Sequence, residues 1–355
     1  MIFTYYMQTC NVKWNNDISR KFSIGNGVKQ GSVISPILFC FYINDLFKDL
    51  RKTNIGCWLH GFYVGIIGYA DDLLLLCPSL EGLQIMIKAC EDYALKHNLQ
   101  FSTDSNISKC KTKCMAFNKN NIVSSNMLLN GTALPWVSNC KYLGFNINNH
   151  DNYIKLDINC KKNEYIRKNI KLIHEFYYAH PVTVFTLNKV YNTSFYGSQV
   201  WNLFSKESNH VFNAWNVSVR EMYKLPRNSH RYLLEPLAET AHIKFNLYKR
   251  FIKFCDTLNC SNKLFLKSLY SKLKFDVNSI IGNNLRKIML ELDLGSINDI
   301  NCGKIDCLNY VEIPGSEYYR IDLLKDLINI RAGNDLLPGF SYDEIQTMID
   351  YVAIS

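Results

Sequence analysis

The sequence has no apolar run long enough to cross a bilayer. Its longest uncharged apolar stretch, Val33 to Asn44, is well short of the roughly 20 residues a spanning helix needs. Met1-Ile2-Phe3-Thr4-Tyr5-Tyr6 lacks the basic opening of a targeting peptide, and no internal repeat or low-complexity tract is present. Thirteen cysteines, an odd number scattered along a chain without a secretory signal, predict reduced thiols and a location in the nucleus or cytoplasm, with no membrane partner. Cys110/Cys114, Cys255/Cys260 and Cys302/Cys307 are close pairs, but none joins a second pair at zinc-ligand spacing, so structural zinc is not expected.

What is present is a core-forming composition. With 355 residues, 48% hydrophobic and 13% aromatic, the chain can bury enough apolar surface for two or three domains, and disorder is excluded. The net charge of +9 is unevenly spread. Residues 1–150 carry 14 basic against 9 acidic side chains, residues 151–250 carry 15 against 8, and residues 251–355 carry 11 against 14. A polyanionic partner is therefore expected on the first two-thirds.

The chain is organised around Gly65-Ile66-Ile67-Gly68-Tyr69-Ala70-Asp71-Asp72-Leu73-Leu74-Leu75-Leu76-Cys77. Two apolar runs of strand length flank a pair of carboxylates, which predicts a tight hairpin with Asp71 and Asp72 at its tip. Adjacent carboxylates repel one another, and a divalent cation is the natural way to neutralise them. The alternative, two solvated turn residues, stays open on this stretch alone, because Asp is a common turn former.

The order of the neighbouring pieces favours the metal reading. Upstream lies Gly27-Val28-Lys29-Gln30-Gly31-Ser32-Val33-Ile34-Ser35-Pro36; downstream come Lys111-Thr112-Lys113 and Cys140-Lys141-Tyr142-Leu143-Gly144-Phe145. At these intervals the four pieces resemble the palm motifs of reverse transcriptases, specifically those of non-LTR (LINE-like) retrotransposons. The resemblance covers about the first 145 residues.

It implies Asp71 as a direct Mg²⁺ ligand supported by Asp72, with Tyr69 in the same motif at the substrate. Gln30 and Gly31 would lie beside template and incoming nucleotide. Lys111 would stabilise or protonate the departing pyrophosphate, a role that competes with an ordinary solvated face shared by Lys109 and Lys113. Tyr142, Leu143 and Gly144 match the hairpin that positions the primer 3′ end, and core packing is the preferred reading for Leu143. The implied partners are an RNA template, a DNA primer, their RNA–DNA hybrid and deoxynucleotide triphosphates.

Local patterns place these pieces on elements. Val12 to Trp14 and Ile18 to Ile24 read as strands around Asn15-Asn16-Asp17, with Ile18, Phe22 and Ile24 on a buried face. Ser35 and Pro36 read as N-cap and first residue of a helix whose opening turns are apolar nearly all round, which predicts a helix sandwiched beneath the sheet. Ser79 caps a second helix with a core stripe of Leu80, Leu83, Ile87, Cys90 and Ala94. A short strand is expected at Cys114 to Phe117. Met127 to Gly131 and Lys141 to Ile147 are expected to pair around Asn130-Gly131.

From Ile154 to His180 a long helix interleaves Lys155, Lys161, Lys162, Arg167, Lys168 and Lys171 with Tyr165, Phe176, Tyr177 and Tyr178. Cations mixed with aromatics suit a surface that follows a phosphate backbone and stacks on sugar or base, although a solvated face reads almost as well. Leu187 to Trp201, with Tyr196-Gly197, is similar to the region after the polymerase core of LINE proteins. Pro226, Asn228 and Ser229 mark a break between helices.

The expected fold is α+β. Residues 1–149 form a partial palm, an antiparallel sheet backed by helices, with the fingers missing. Residues 150–240 form an all-helical thumb-like region, and residues 241–355 a helical C-terminal accessory region without motifs. Nothing identifies an endonuclease or an RNase H domain.

Reverse transcriptases place a third carboxylate on a strand several tens of residues before the glutamine loop, and here only 29 residues precede Gln30. Asp17 is the sole acid among them and sits in a polar turn, a poor substitute. The expectation is a reverse transcriptase fragment, weakly active or inactive alone, whose two-ion site needs an upstream polypeptide to complete it. Whether it is an enzyme therefore stays open. The alternative is a non-catalytic nucleic-acid-binding protein derived from a reverse transcriptase, and a relic that binds nothing is a weaker third.

Overall fold

The computed structural model describes residues 9–24, 31–104, 106, 109–117, 126–149, 154–293, 315–332 and 342–354. The chain divides into two compact units, Met1–Val137 and Ser138–Ser355. Mixed helices and small antiparallel sheets give an α+β fold; the described strands pair into six two-stranded ladders.

In the first unit, Thr9–Cys10 (β1) pairs with Phe22–Ser23 (β4) around an inner pair, Lys13–Trp14 (β2) with Asp17–Ile18 (β3). Asn15 supplies the positive φ of 53° that the tight inner turn requires. Asp17 thus opens β3 instead of lying in the turn. The buried face expected of this hairpin is not formed: Ile18 is 65% and Phe22 49% exposed. Alternation marks a face that could be covered, and among the described residues no layer covers it.

Ser35–Lys52 is the first helix (α1), with Pro36 in its opening turn. Ile34, not Ser35, is its N-cap and makes no side-chain cap bond; Ser35 is buried within the first turn. Pro36 tolerates either of the first two helical positions, so the start shifts by one residue without penalty. Nor is α1 sandwiched. Ile43, Leu46 and Leu50 are buried, whereas Val33, Ile37 and Phe41 are 89%, 68% and 82% exposed. An all-round apolar turn can be covered on both sides, but it does not ensure that a second layer is present.

Trp58–Leu59 (β5) pairs with Phe62–Tyr63 (β6), and Ile66–Tyr69 (β7) with Asp72–Leu75 (β8). The second helix, Leu80–Lys96 (α2), is capped as expected: Ser79 Oγ accepts the Gly82 N–H at 3.1 Å. Ile87, Cys90 and Ala94 are buried along its stripe, and Met86 and Tyr93 widen it. One flank of α2 joins α1 and Ile66 in a core with Leu46, Leu50 and Met86. The other flank packs Ile87 against Cys114, Met127, Leu129 and Leu134. Cys114 forms only an isolated bridge with Trp136, so the strand expected to Phe117 reduces to a single paired position.

Leu128–Leu129 (β9) and Thr132–Ala133 (β10) pair around Asn130-Gly131, both at positive φ. The strand at Lys141 does not join them. Asn139–Tyr142 (β11) instead pairs with Phe145–Asn148 (β12) around Leu143-Gly144, a second hairpin with φ of 47° and 83° at its tip. Two primed turns close two local ladders where one long pairing was expected.

That hairpin belongs to the second unit, which is otherwise helical. Its helices are Lys155–Glu175 (α3), Pro181–Tyr191 (α4), Lys206–Met222 (α5), Leu234–Leu237 (α6), Ile243–Asn259 (α7), Leu264–Leu273 (α8), Ile280–Glu291 (α9), Gly315–Ala332 (α10) and Tyr342–Ile354 (α11). Short 3₁₀ turns lie at Ser198–Val200 and Arg231–Leu233. The expected single helix over 154–180 ends at Glu175, because Pro181 starts α4 with His180 as its cap, Nδ1 accepting the Val182 N–H at 3.3 Å. One continuous core holds Tyr165, Trp201, Trp215, Tyr248 and Phe251, and extends to Leu324 and Ile349 in the last two helices. Among the described residues no helix is long and apolar enough to cross a membrane.

Candidate active site and nucleic-acid interface

In the β7–β8 hairpin, Tyr69 faces Asp72 across the ladder, leaving Ala70 and Asp71 as the two turn residues. The two-residue turn sets this register, because loop length and turn type fix the pairing of the strands it joins. Ala70 takes φ 51°, a left-handed conformation that costs an ordinary L residue roughly 1–2 kcal/mol. Gly68 leaves room for the ring of Phe47 on α1, where a Cβ would collide with it, so the hairpin lies directly on that helix.

Asp71 and Asp72 are both exposed, as are Ala70 and Tyr69, the last at 68%. Neither carboxylate has an ion-pair or hydrogen-bond partner among the described residues. They present hard oxygen donors at a solvent-facing turn, the ligand type a hard divalent ion takes. Among the described residues, no three His, Cys, Asp or Glu side chains converge as a metal site.

Gly31 is exposed at φ 80°, with open space around it, just before α1. Gln30 lies outside the described residues. Lys109, Lys111 and Lys113 are exposed while Cys110 and Cys114 are buried, so the three ammonium groups share the face the alternation predicts. Leu75, three residues beyond Asp72, packs against the core cluster that contains Cys114, three residues beyond Lys111. The two segments are thus tied to one core, with their charged residues on its outside. Burial drives the Cys114 thiol up to about 11 and Cys90 up to about 12, so both are inert packing groups.

In the second unit, Leu143-Gly144 at the β11–β12 tip meets Tyr196. A Cβ on Gly144 would lie 3.0 Å from Tyr196 Cε1, and the rings of Phe145 and Tyr196 are 5.7 Å apart. Lys161 on α3 lies 5.5 Å over the Tyr196 ring and donates to the Gly144 carbonyl at 3.4 Å. Tyr142 is half-buried beside them.

Of the aromatics expected on the basic helix, Tyr165 is core, 1% exposed, whereas Phe176, Tyr177 and Tyr178 are exposed. Tyr165 falls on the α3 stripe that faces α5, which interleaving alone does not reveal. Lys155, Lys168 and Lys171 pair with Glu207, Glu164 and Glu175, and Lys224 lies 4.2 Å over the Tyr177 ring.

Asp157 escaped the sequence reading. Only 1% exposed, it accepts the Asn146 N–H and side-chain amide at 3.1 Å each and the Trp201 indole N–H at 2.9 Å. It ties β12, α3 and the segment after Gly197 together, and no sequence pattern announces such a long-range acceptor.

Residues 1–147 match the family model described as reverse transcriptase (RNA-dependent DNA polymerase). They are a reverse transcriptase segment of the non-LTR type. Over 94 residues the chain is 32% identical to the retrovirus-related Pol polyprotein of the type-2 retrotransposable element R2DM of Drosophila melanogaster, covering 26% of this chain and 8% of that protein. It is 35% identical over 65 residues to the Pol polyprotein of the type-1 element R2 of Nasonia vitripennis, covering 18% of this chain and 6% of the relative. With the R2 counterpart of Popillia japonica it shares 41% over 59 residues, 16% of this chain and 8% of the relative. The matches span less than a tenth of each relative's length. The matched segment takes in all of the first unit and the β11–β12 hairpin of the second up to Ile147.

Proposed function

We propose that the chain is part of an RNA-directed DNA polymerase of a retrotransposon, acting on an RNA template, a DNA primer and deoxynucleotide triphosphates. The observation that carries this is the exposed Asp71–Asp72 pair, without a side-chain partner among the described residues, where the β7–β8 turn enters β8 within the family-matched segment. In the reaction the primer 3′-hydroxyl attacks the α-phosphate in line, a new phosphodiester forms, and pyrophosphate leaves with the electron pair of the broken bond. Bound Mg²⁺ ions supply activation of the attacking oxygen and charge stabilisation of the leaving group.

Asp71 and Asp72 hold the metal edge of the site, and Tyr69 borders the substrate. Lys111 offers positive charge or a proton to the pyrophosphate. Gln30 and Gly31 contact template and nucleotide, and Tyr142 and Gly144 guide the primer end. Residues 1–149 act as palm, 150–240 as thumb and 241–355 as a helical accessory region.

In this reading an upstream polypeptide supplies the third carboxylate, and Asp17, on β3, is not a ligand. Primer extension on an RNA template with Mg²⁺ tests it. Weak or no extension is expected from the chain alone, with any residual activity abolished by Asp71→Asn. Robust activity that survives Asp71→Asn would overturn the assignment.

The second reading, a non-catalytic nucleic-acid binder, is favoured by the exposed cations and aromatics at and beyond α3. Salt-dependent hybrid binding without extension, even when upstream sequence is supplied, would establish it.

A further inference from the structure

A cleft of about 400 Å³ opens on the second unit between α5, the 3₁₀ turn at Arg231, α7 and the end of α9. Its chemistry is uneven in a way that selects a ligand. Asn209, Asn213 and Asn216 line it from α5 at spacings of four and three, which places their carboxamides on one helical face.

Asn216 is 6% exposed, and its Oδ1 lies 3.0 Å from Nε2 of the fully buried His242. His242 Nδ1 accepts the Lys244 N–H at 3.2 Å, so the proton resides on Nε2 and is donated to Asn216. The Asn216 carbonyl is thereby committed, and its amide N–H groups are what it offers the cleft. The Asn209 and Asn213 carboxamides have no hydrogen-bond partner among the described residues.

The charges are equally sorted. Lys244 is ion-paired to Glu291, and Tyr248 donates its hydroxyl to the same carboxylate at 2.8 Å. That acid is spent internally. The Arg231 guanidinium lines the cleft with no ion pair or hydrogen bond among the described residues, so it is the cation left for an incoming anion. Phe204 adds an aromatic wall, with Lys287 5.5 Å above its ring.

Carboxamides that both donate and accept, one uncommitted guanidinium and one aromatic wall are the complement of a planar heterocycle carrying a phosphate. A lipid would find too little apolar surface, and a hard cation no free carboxylate. We propose that this cleft takes one unpaired nucleotide of a single-stranded nucleic acid, its base edge on the α5 carboxamides and its phosphate on Arg231. The proposal rests on the nucleic-acid reading above only for the source of that nucleotide.

Fluorescence anisotropy of the full chain with labelled single-stranded RNA, single-stranded DNA and an RNA–DNA hybrid tests it. Asn213→Ala and Arg231→Gln change exposed side chains, and thermal melting confirms that both fold. Each is expected to weaken single-strand binding roughly fivefold to tenfold, the scale of one net hydrogen bond, and to leave hybrid binding unchanged. A 2-aminopurine strand should change fluorescence on binding to the wild type and lose that response in Phe204→Leu.

RNA alone, DNA alone or both responding in this way supports the cleft and identifies its source. Unchanged single-strand affinity in both variants, an equal loss on hybrid and single strand, or no single-strand binding by the wild type overturns it. Absent hybrid binding beside intact, variant-sensitive single-strand binding would instead overturn the polymerase reading and leave the cleft standing.

Discussion

Two glycines and two aromatic rings interlock where the β11–β12 turn meets the segment before the Ser198–Val200 turn. Gly144 at φ 83° accommodates Tyr196, and Gly197 at φ 89° accommodates Phe145, whose Cε1 would lie 2.5 Å from an added Cβ. Alanine at either site meets both a steric contact and a left-handed backbone. Gly144→Ala should cost about 1–2 kcal/mol and lower the melting temperature by several degrees. Gly197→Ala should cost more, since a ring must move; thermal denaturation of the two variants checks the order. Thiols offer a second residue-scale test. Cys40, Cys160 and Cys260 are exposed, whereas burial drives Cys90 and Cys255 up to about 12. A thiol reagent near neutral pH should label the first three at once and the other two only on denaturant-induced opening, read by mass spectrometry.

At the scale of elements, Asp157 joins a hairpin, a helix and Trp201 through three donors to one buried carboxylate. Asp157→Ala strands those donors in the interior, and about 3 kcal/mol of stability should be lost, with Asp157→Asn milder because one acceptor oxygen survives. Chemical denaturation gives both values. The outer face of α1 is the opposite case, an apolar surface that nothing covers among the described residues. Ile37→Ser combined with Phe41→Ser should leave stability within about 0.5 kcal/mol and reduce self-association, measured by light scattering. This face also shows where patterning stops being informative. The hairpin at Asp71 and Asp72, the cap at Ser79 and the turn Asn130-Gly131 were legible because each rests on neighbours in the chain. Whether Ile18, Phe22, Ile37 and Phe41 are buried depends on what packs beside them, and local spacing carries no record of that.

For the molecule as a whole, the buried His242 makes stability depend on pH. Desolvation, with Arg231 and Lys244 nearby, lowers its pKa from the ordinary 6.5 to about 3, so the folded state holds the ring neutral. The unfolded chain binds this proton below pH 6.5 and the folded chain does not. The contribution is therefore fully present above pH 6.5 and declines by up to about 1.4 kcal/mol per unit between pH 6.5 and 3. Burial raises Glu235, so this carboxyl works in the opposite sense, adding stability as pH falls through its raised value toward 4.5. Denaturant midpoints across pH 7 to 5 should fall in the wild type and flatten in His242→Gln, once that variant's own stability is taken as the reference. Chain chemistry alone determined the α+β class, the acidic hairpin, the basic first two-thirds and the kinship with reverse transcriptases, because periodicity, turn residues and motif order are local or linear properties. Tertiary structure alone decided that Tyr165 is core, that Asp157 is a buried acceptor, that α1 is covered on one side among the described residues and that three asparagines line one cleft with Arg231. Each of these depends on residues many positions apart meeting in space, where burial and desolvation set the role of a side chain that its own sequence neighbourhood leaves undetermined.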